Sequence, residues 1–435
     1  MEFLESSVSI DEDEIIAFPD NYFYKRVLNK NLLIAPFYPT WIVLDDEEFE
    51  LFSLLENYNI KDSLNKFKNN NSHIILNNLL LKVFKNGFYN DYLANTIDEE
   101  SMENVEKNIH INLTNDCNMR CKHCFVNAGR VFKKELNVSD IVVRVNEINN
   151  LTKISSIVIS GGEPLLQRDI FYLLKELKNY KISLFTNGIL INEKNILDIA
   201  RYVNDVQISM EGVTKEFYEQ NRGKGNYDKL LSAINLIKSK NIPINLAVTI
   251  LPSTMGDIRD NLLNFVKFIN YNRLSIRLNN EIEMAGAALK ELDISDNDSF
   301  VLDSNKVINK LIKELFEYGI NIKYPRVKNV RFRNCGIGTS IVLDSDGKIY
   351  PCSKFSTYFC NKNISSKELI ERFNKLNKDT NVDNMLKCKK CKLKFICSGG
   401  CRIDNLNHCN NMNEPICNDK YKKRIYEKLV NDELS

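Results

Sequence analysis

The sequence predicts an α/β protein built on a partial (β/α)6 barrel, with a small strand–helix unit before it and a cysteine-rich domain after it. Three observations lead there. Between residues 105 and 325, short branched strands alternate with amphipathic helices six times. Ahead of that stretch, aromatic and branched strands are followed by helices. Beyond residue 326 the alternation stops, and nine of the twelve cysteines fall between Cys335 and Cys417. At 435 residues the chain is long enough for about three folded units.

In chain order, residues 1–20 are acidic and expected to be loose. Residues 21–100 form the small unit, with strands at Tyr22 to Leu28, Asn31 to Ala35 and Trp41 to Leu44. A helix should start at Asp45, because Glu48 stands three residues on at the capping-box spacing and Phe49, Leu51, Phe52 and Leu55 follow. Ile60 to Phe67 and Ile74 to Phe84 continue with helical period. Barrel strands are expected at Ile109–Leu113, Ile157–Ser160, Ile182–Phe185, Val206–Met210, Ile244–Ile250 and Leu274–Leu278. The helices between them are Ser139–Leu151, Ile170–Tyr180, Ile196–Val203, Tyr227–Ser239 and Ile258–Tyr271. In such a TIM-like barrel, chemistry sits at the C-terminal ends of the strands.

Composition narrows the function. With 59 Lys+Arg against 57 Asp+Glu, the net charge of +2 gives no footprint for nucleic acid. Leu32 to Leu44 is the longest apolar stretch, and Pro36 and Pro39 interrupt it well short of a membrane span. The acidic start lacks a signal peptide's basic region, so a soluble, cytoplasmic protein is expected. In a reducing cytosol, cysteines two or three apart are metal ligands more often than disulfides.

Cys117-Asn-Met-Arg-Cys121-Lys-His-Cys124 directly follows the first barrel strand. Three thiolates can hold three corners of a [4Fe–4S] cubane and leave one iron open. A zinc site or three incidental thiols are the alternatives, but zinc wants four closed ligands and no fourth is nearby. The spacing resembles the radical S-adenosylmethionine (SAM) signature, with His123 at the position near the adenine. That resemblance implies SAM chelated to the open iron and cleaved to a 5′-deoxyadenosyl radical. Gly161-Gly162-Glu163-Pro164 ends strand two and matches the family's GGEP segment, which holds the SAM amino group. Thr186-Asn187-Gly188 ends strand three. Ser209-Met210-Glu211-Gly212 ends strand four and resembles a ribose-contacting Ser-x-Asp-Gly, with Glu in place of Asp. Arg222 matches an arginine that pairs with the SAM carboxylate; without the resemblance it would read as a solvated loop residue.

The C-terminal cysteines resemble the SPASM extension of radical SAM enzymes that modify peptides. By position, the resemblance implies two auxiliary [4Fe–4S] clusters, one on Cys335, Cys352 and Cys401 and one on Cys388, Cys391, Cys397 and Cys417. That is seven thiolates for eight places. Either the first auxiliary cluster has an open iron that a substrate thiolate would ligate, or Cys360 or Cys409 closes it; both spares would otherwise be buried thiols. Ser353 stands where sulfatase-maturing relatives carry a basic Asp, which disfavours that subfamily.

Three strands followed by three helices resemble a winged helix of the kind that grips a leader peptide as an added strand in peptide maturases. A DNA-binding use is the other reading, but these helices carry both charge signs and no basic stripe. Together the resemblances imply a maturase of a ribosomally synthesised peptide (RiPP) of the sactipeptide or ranthipeptide type. It would form an intrapeptide crosslink, a thioether before a carbon–carbon bond, with epimerisation behind both; Cys360 or Cys409 would then act as hydrogen donor. Its partners would be a precursor peptide and an electron donor such as flavodoxin or ferredoxin. A peptide-binding or redox-sensing iron–sulfur protein is the reading from a different class.

Overall fold

The computed structural model describes residues 11–89, 106–125, 128–129, 135–280, 282, 286–292, 297–320, 328–355 and 359–434. The chain forms two compact units. One gathers Met1–Glu100, Pro325–Cys335 and Asp379–Ser435; the other gathers Ser101–Tyr324 and Gly336–Lys378. Each unit therefore draws on stretches that lie apart in the chain. The cysteine-rich stretch divides, with Gly336–Lys378 in the barrel unit and the rest in a unit with the N-terminus.

The first unit contains an antiparallel sheet of β1 (Phe23–Val27), β2 (Lys30–Ala35) and β3 (Thr40–Leu44) in that order. Helices α1 (Asp46–Leu55), α2 (Ile60–Lys66) and α3 (Ser72–Lys85) follow. The cap at α1 forms as its spacing predicts. Glu48 N–H donates to the Asp45 carboxylate at 2.8 Å, and Asp45 N–H donates back to Glu48 at 2.9 Å. Side chains alternate across the sheet, and both faces are covered. Leu33, Ile42 and Leu44 pack on Leu51, Phe52, Leu76 and Leu79 of the helices. Leu32, Ile34, Trp41 and Val43 pack instead on Leu393, Ile396, Ile425, Leu429 and Val430, from the far end of the chain.

In the second unit, six parallel strands run in chain order: β4 (Lys107–Thr114), β5 (Ile154–Gly161), β6 (Ile182–Thr186), β7 (Asp205–Ser209), β8 (Ile244–Thr249) and β9 (Ser275–Asn279). Between them lie α4 (Val138–Asn149), α5 (Ile170–Glu176), α6 (Ile196–Tyr202), α7 (Lys215–Arg222), α8 (Tyr227–Ser239), α9 (Met255–Asp260) and α10 (Leu262–Asn272). After β9 come α11 (Ala288–Glu291) and α12 (Asn297–Glu317). Ile109, Ile111, Ile157, Ile159, Leu184, Val206, Ile208 and Leu246 turn to the helices and are fully buried. The other face of the sheet is half-buried and mostly polar. Asn112 lies opposite Ser160, and Phe185, Gln207 and Asn245 follow one another across β6, β7 and β8.

Two elements extend this sheet without a signal in the sequence. β10 (Ser340–Leu343) pairs parallel to β4, and β11 (Ile349–Tyr350) pairs antiparallel to β10. Lys107 fastens the join from within. Its Nζ donates to the Gly338 carbonyl at 2.8 Å and to Asn374 Oδ1 at 2.7 Å, on α13 (Ser366–Asp379). The first unit is completed by α14 (Lys394–Cys397), α15 (Arg402–Cys409) and α16 (Asp419–Leu434). No described helix is long and apolar enough to cross a membrane.

Candidate functional site

Where β4 ends, the chain turns into the cysteine loop and packs against the exit of β5. Gly162 N–H donates to the Thr114 carbonyl at 2.7 Å, and Glu163 N–H to the Asp116 carbonyl at 2.8 Å. This explains the paired glycines. Gly161 has φ +135°, and a Cβ on Gly162 would come within 2.2 Å of the Asp116 carbonyl oxygen. Their close approach is to the chain's own backbone.

Glu163 is wholly buried. Its carboxylate accepts from Thr186 Oγ1 at 2.7 Å, Asn187 N–H at 2.8 Å and Leu165 N–H at 3.1 Å. Burial raises its pKa, and these donors oppose the rise. Glu163 thus ties the end of β5 to the end of β6. Asn187 in turn donates to Asn118 Oδ1 at 2.8 Å, so the Thr186-Asn187 turn braces the cysteine loop.

Three sulfurs sit in that loop. Met119 N–H donates to Cys117 Sγ and Ala128 N–H to Cys124 Sγ, each at 3.4 Å. Burial raises the Cys117 and Cys121 thiols, and Cys124 adds to the rise at both. Buried thiols of this kind stay protonated until a cation draws the proton off. Among the described residues no three His, Cys, Asp or Glu side chains converge as ligands of one metal ion do. Thiolates on separate corners of a cubane stand further apart than ligands of one ion.

Beside the loop lies a buried ion pair. The guanidinium of Arg222 grips Glu211 through two nitrogens, Nε on Oε2 and Nη2 on Oε1, the latter at 2.7 Å. Their side chains are only 9% and 2% exposed. His123 Nε2 lies 3.4 Å from both Glu211 Oε1 and Arg222 Nη2, and Arg222 Nη1 lies 3.9 Å from Met119 Sδ. Burial pushes the Glu211 carboxyl up, but Arg222 and His123 together outweigh it and hold the carboxyl at about 2. Arg222 is the last residue of α7, a helix where the sequence reading has a loop. Asp257 sets that helix's start, accepting from Val213 N–H at 2.6 Å, Thr214 N–H at 3.1 Å and Thr214 Oγ1 at 3.0 Å. Ser209 closes β7 and is half-buried.

His123, Glu163, Thr186, Asn187, Glu211 and Arg222 therefore surround the cysteine triplet at the strand ends. Sequence reasoning missed Asn118, Met119 and Asp257. The first two fall between Cys117 and Cys121, at places the cysteine spacing leaves unspecified, and Asp257 is a lone acid on a short helix. The cofactor fits this setting on one direct observation. His123 Nδ1 and the Tyr218 hydroxyl are buried with no hydrogen-bond partner among the described residues, and Tyr218 is close enough to Arg222, Glu211 and Cys121 to feel their charges. Buried polar atoms of this kind await a ligand.

The C-terminal cysteines fall into separate settings. Cys388, Cys391, Cys397 and Cys417 line one cavity of about 230 Å³, with Tyr421, Lys387 and Lys422 on its wall. Burial, then the neighbouring thiols, lift the Cys388 pKa to about 11. Cys335 and Cys401 are hydrogen-bonded to each other, which raises the Cys401 thiol. Cys352 lies just past β11 in the barrel unit and accepts from Lys354 N–H at 3.3 Å. Cys360 is buried in the barrel unit's core, its backbone paired with Ile349. Cys409 is exposed at the end of α15.

Residues 111–265 match the sequence model of the Radical SAM superfamily. That family binds SAM and a [4Fe–4S] cluster, and the relatives with assigned activities are enzymes. The fold resembles Streptococcus suis SuiB, solved bound to S-adenosylmethionine, with a TM-score of 0.55 and 17% identity over 92% of this chain and 98% of that one. SuiB has also been solved bound to its precursor peptide SuiA. Radical SAM cyclopropyl synthase TigE of Paramaledivibacter caminithermalis is 24% identical over 86% of this chain and 90% of TigE. The cysteine-type anaerobic sulfatase-maturating enzyme of Clostridium novyi is 25% identical over 73% of this chain and 93% of its own.

Proposed function

We propose that the protein is a maturase of a ribosomally synthesised precursor peptide that uses radical SAM chemistry to form an intrapeptide crosslink. The observation that carries this reading is the cysteine triplet at the β4 exit, ringed by Glu163, Asn187, His123 and the Glu211–Arg222 pair. Similarity over most of its length to SuiB, TigE and a sulfatase-maturating enzyme supports it further. Bound SAM and a reduced cluster on Cys117, Cys121 and Cys124 would supply the radical that removes a hydrogen atom from an unactivated carbon.

The chain's own residues do the positioning. Glu163 and Asn187 fix the loop, Arg222 and His123 wall the place next to it, and the polar row on the sheet's other face lines the way for substrate. Cys388, Cys391, Cys397 and Cys417 would hold one auxiliary cluster, and Cys335 and Cys401 would serve another. The 21–100 unit would hold the leader peptide on an edge of its three-stranded sheet, β1 or β3, through backbone hydrogen bonds. A thioether is the favoured bond, a carbon–carbon link the second, and the setting is cytoplasmic.

Anaerobically reconstituted protein should carry about twelve irons per chain and release 5′-deoxyadenosine from SAM. A cysteine-containing precursor peptide should lose two hydrogens on co-expression, as read by mass spectrometry. Colourless protein, or no 5′-deoxyadenosine, would reject the reading and leave a peptide-binding role.

A further inference from the structure

We infer that the surface around the Cys388–Cys417 cavity is a docking site for a small acidic one-electron carrier protein. This rests on the proposed function in one respect: it takes the four thiols to hold a redox cluster. Lys387 and Lys422 come from distant segments, yet both line that cavity. Lys389, Lys390 and Lys392 are exposed on the loop carrying Cys388 and Cys391, and Lys423, Arg424 and Lys428 are exposed on α16, just after Tyr421 and Lys422 of the cavity wall.

The acids in these segments offset only part of that charge. Glu414 pairs with Lys387, Glu427 lies 3.9 Å from Lys423, and Asp419 opens α16. Lys389, Lys390 and Lys428 have no ion pair among the described residues. For a chain whose net charge is only +2, this is a concentration of one sign at one place.

Apolar contact is available at the same place. Leu386 is 79% exposed and Ile416, itself on the cavity wall, 39%. A few apolar residues ringed by like charge make the kind of small, electrostatically steered interface that suits transient redox encounters. Charge complementarity makes the partner anionic. The thiol cavity inside the ring makes it an electron carrier, because a nucleic acid or an anionic lipid gains nothing from being near it.

The test is binding of a recombinant acidic [2Fe–2S] ferredoxin to the holoprotein and to a K389E/K390E/K428E variant, by calorimetry at several salt concentrations. None of the three residues lines a cysteine site, and iron content confirms that the variant is loaded. We expect affinity to weaken by about tenfold or more in the variant and to fall with salt in the wild type, while dithionite-driven 5′-deoxyadenosine formation stays unchanged. Equal ferredoxin affinity in both proteins overturns the inference. So does a wild-type preference for an acidic peptide, RNA or anionic vesicles over ferredoxin. Binding is read without turnover, so a protein that fails to cleave SAM yet loses ferredoxin on charge reversal refutes the functional reading and keeps the docking site.

Discussion

Glu211 shows how one side chain sets a site's electrostatics. A Glu in the resembled ribose position reaches one methylene further than Asp, and here it reaches Arg222. The arginine therefore meets any incoming carboxylate with two nitrogens already engaged. Removing one partner of a buried ion pair strands the other, so E211Q should cost about 3–5 kcal/mol at pH 7, read as a lower melting temperature under anaerobic conditions. The folded carboxyl lies at about 2, below its usual 4.5. Its stabilisation is therefore complete above pH 4.5 and is lost as pH falls toward 2, and the gap between wild type and E211Q should shrink by roughly half by pH 3. That Arg222 and Glu211 meet is not legible in the sequence. The motif names each residue, but a turn and a whole helix separate them.

At the scale of elements, strands with Ile, Val or Leu at every second place were readable because alternation is the physical signature of a sheet with one buried face. The α1 cap was readable because its spacing is the structure. D45A should cost about 1 kcal/mol, seen as a lower urea midpoint. Helix α7 (KEFYEQNR) was not readable, because it is largely polar and its apolar pair falls within a single turn. β10 and β11 escaped because strands of four and two residues carry no period, and β10's partner β4 lies more than two hundred positions earlier.

Lys107 gives that join a pH dependence. Burial lowers its pKa from 10.5 to about 8, so the unfolded chain binds more protons between those values. Stability should rise from pH 8 toward pH 10.5 by a share absent in K107M, measured by denaturant unfolding at pH 7 and pH 10.

The whole molecule brings the two ends of the chain into one unit. Sequence periodicity could find the N-terminal sheet but not its second cover, since Trp41 faces α16 residues some 390 positions away. Trp41 is the chain's single tryptophan and lies 1% exposed. Truncation at Asn418 removes Ile425, Leu429 and Val430 from that face. The truncated chain should show a red-shifted emission and an earlier loss of the tryptophan signal on heating. On the ribosome, the same feature imposes a wait. Val43 emerges roughly 20 to 80 seconds before Leu429 at ordinary elongation speeds, and for that interval a greasy sheet surface has nothing to rest on. Newly made chains should be clients of holding chaperones until α16 has emerged, and iron insertion at Cys388–Cys417 would come after most of the chain is made.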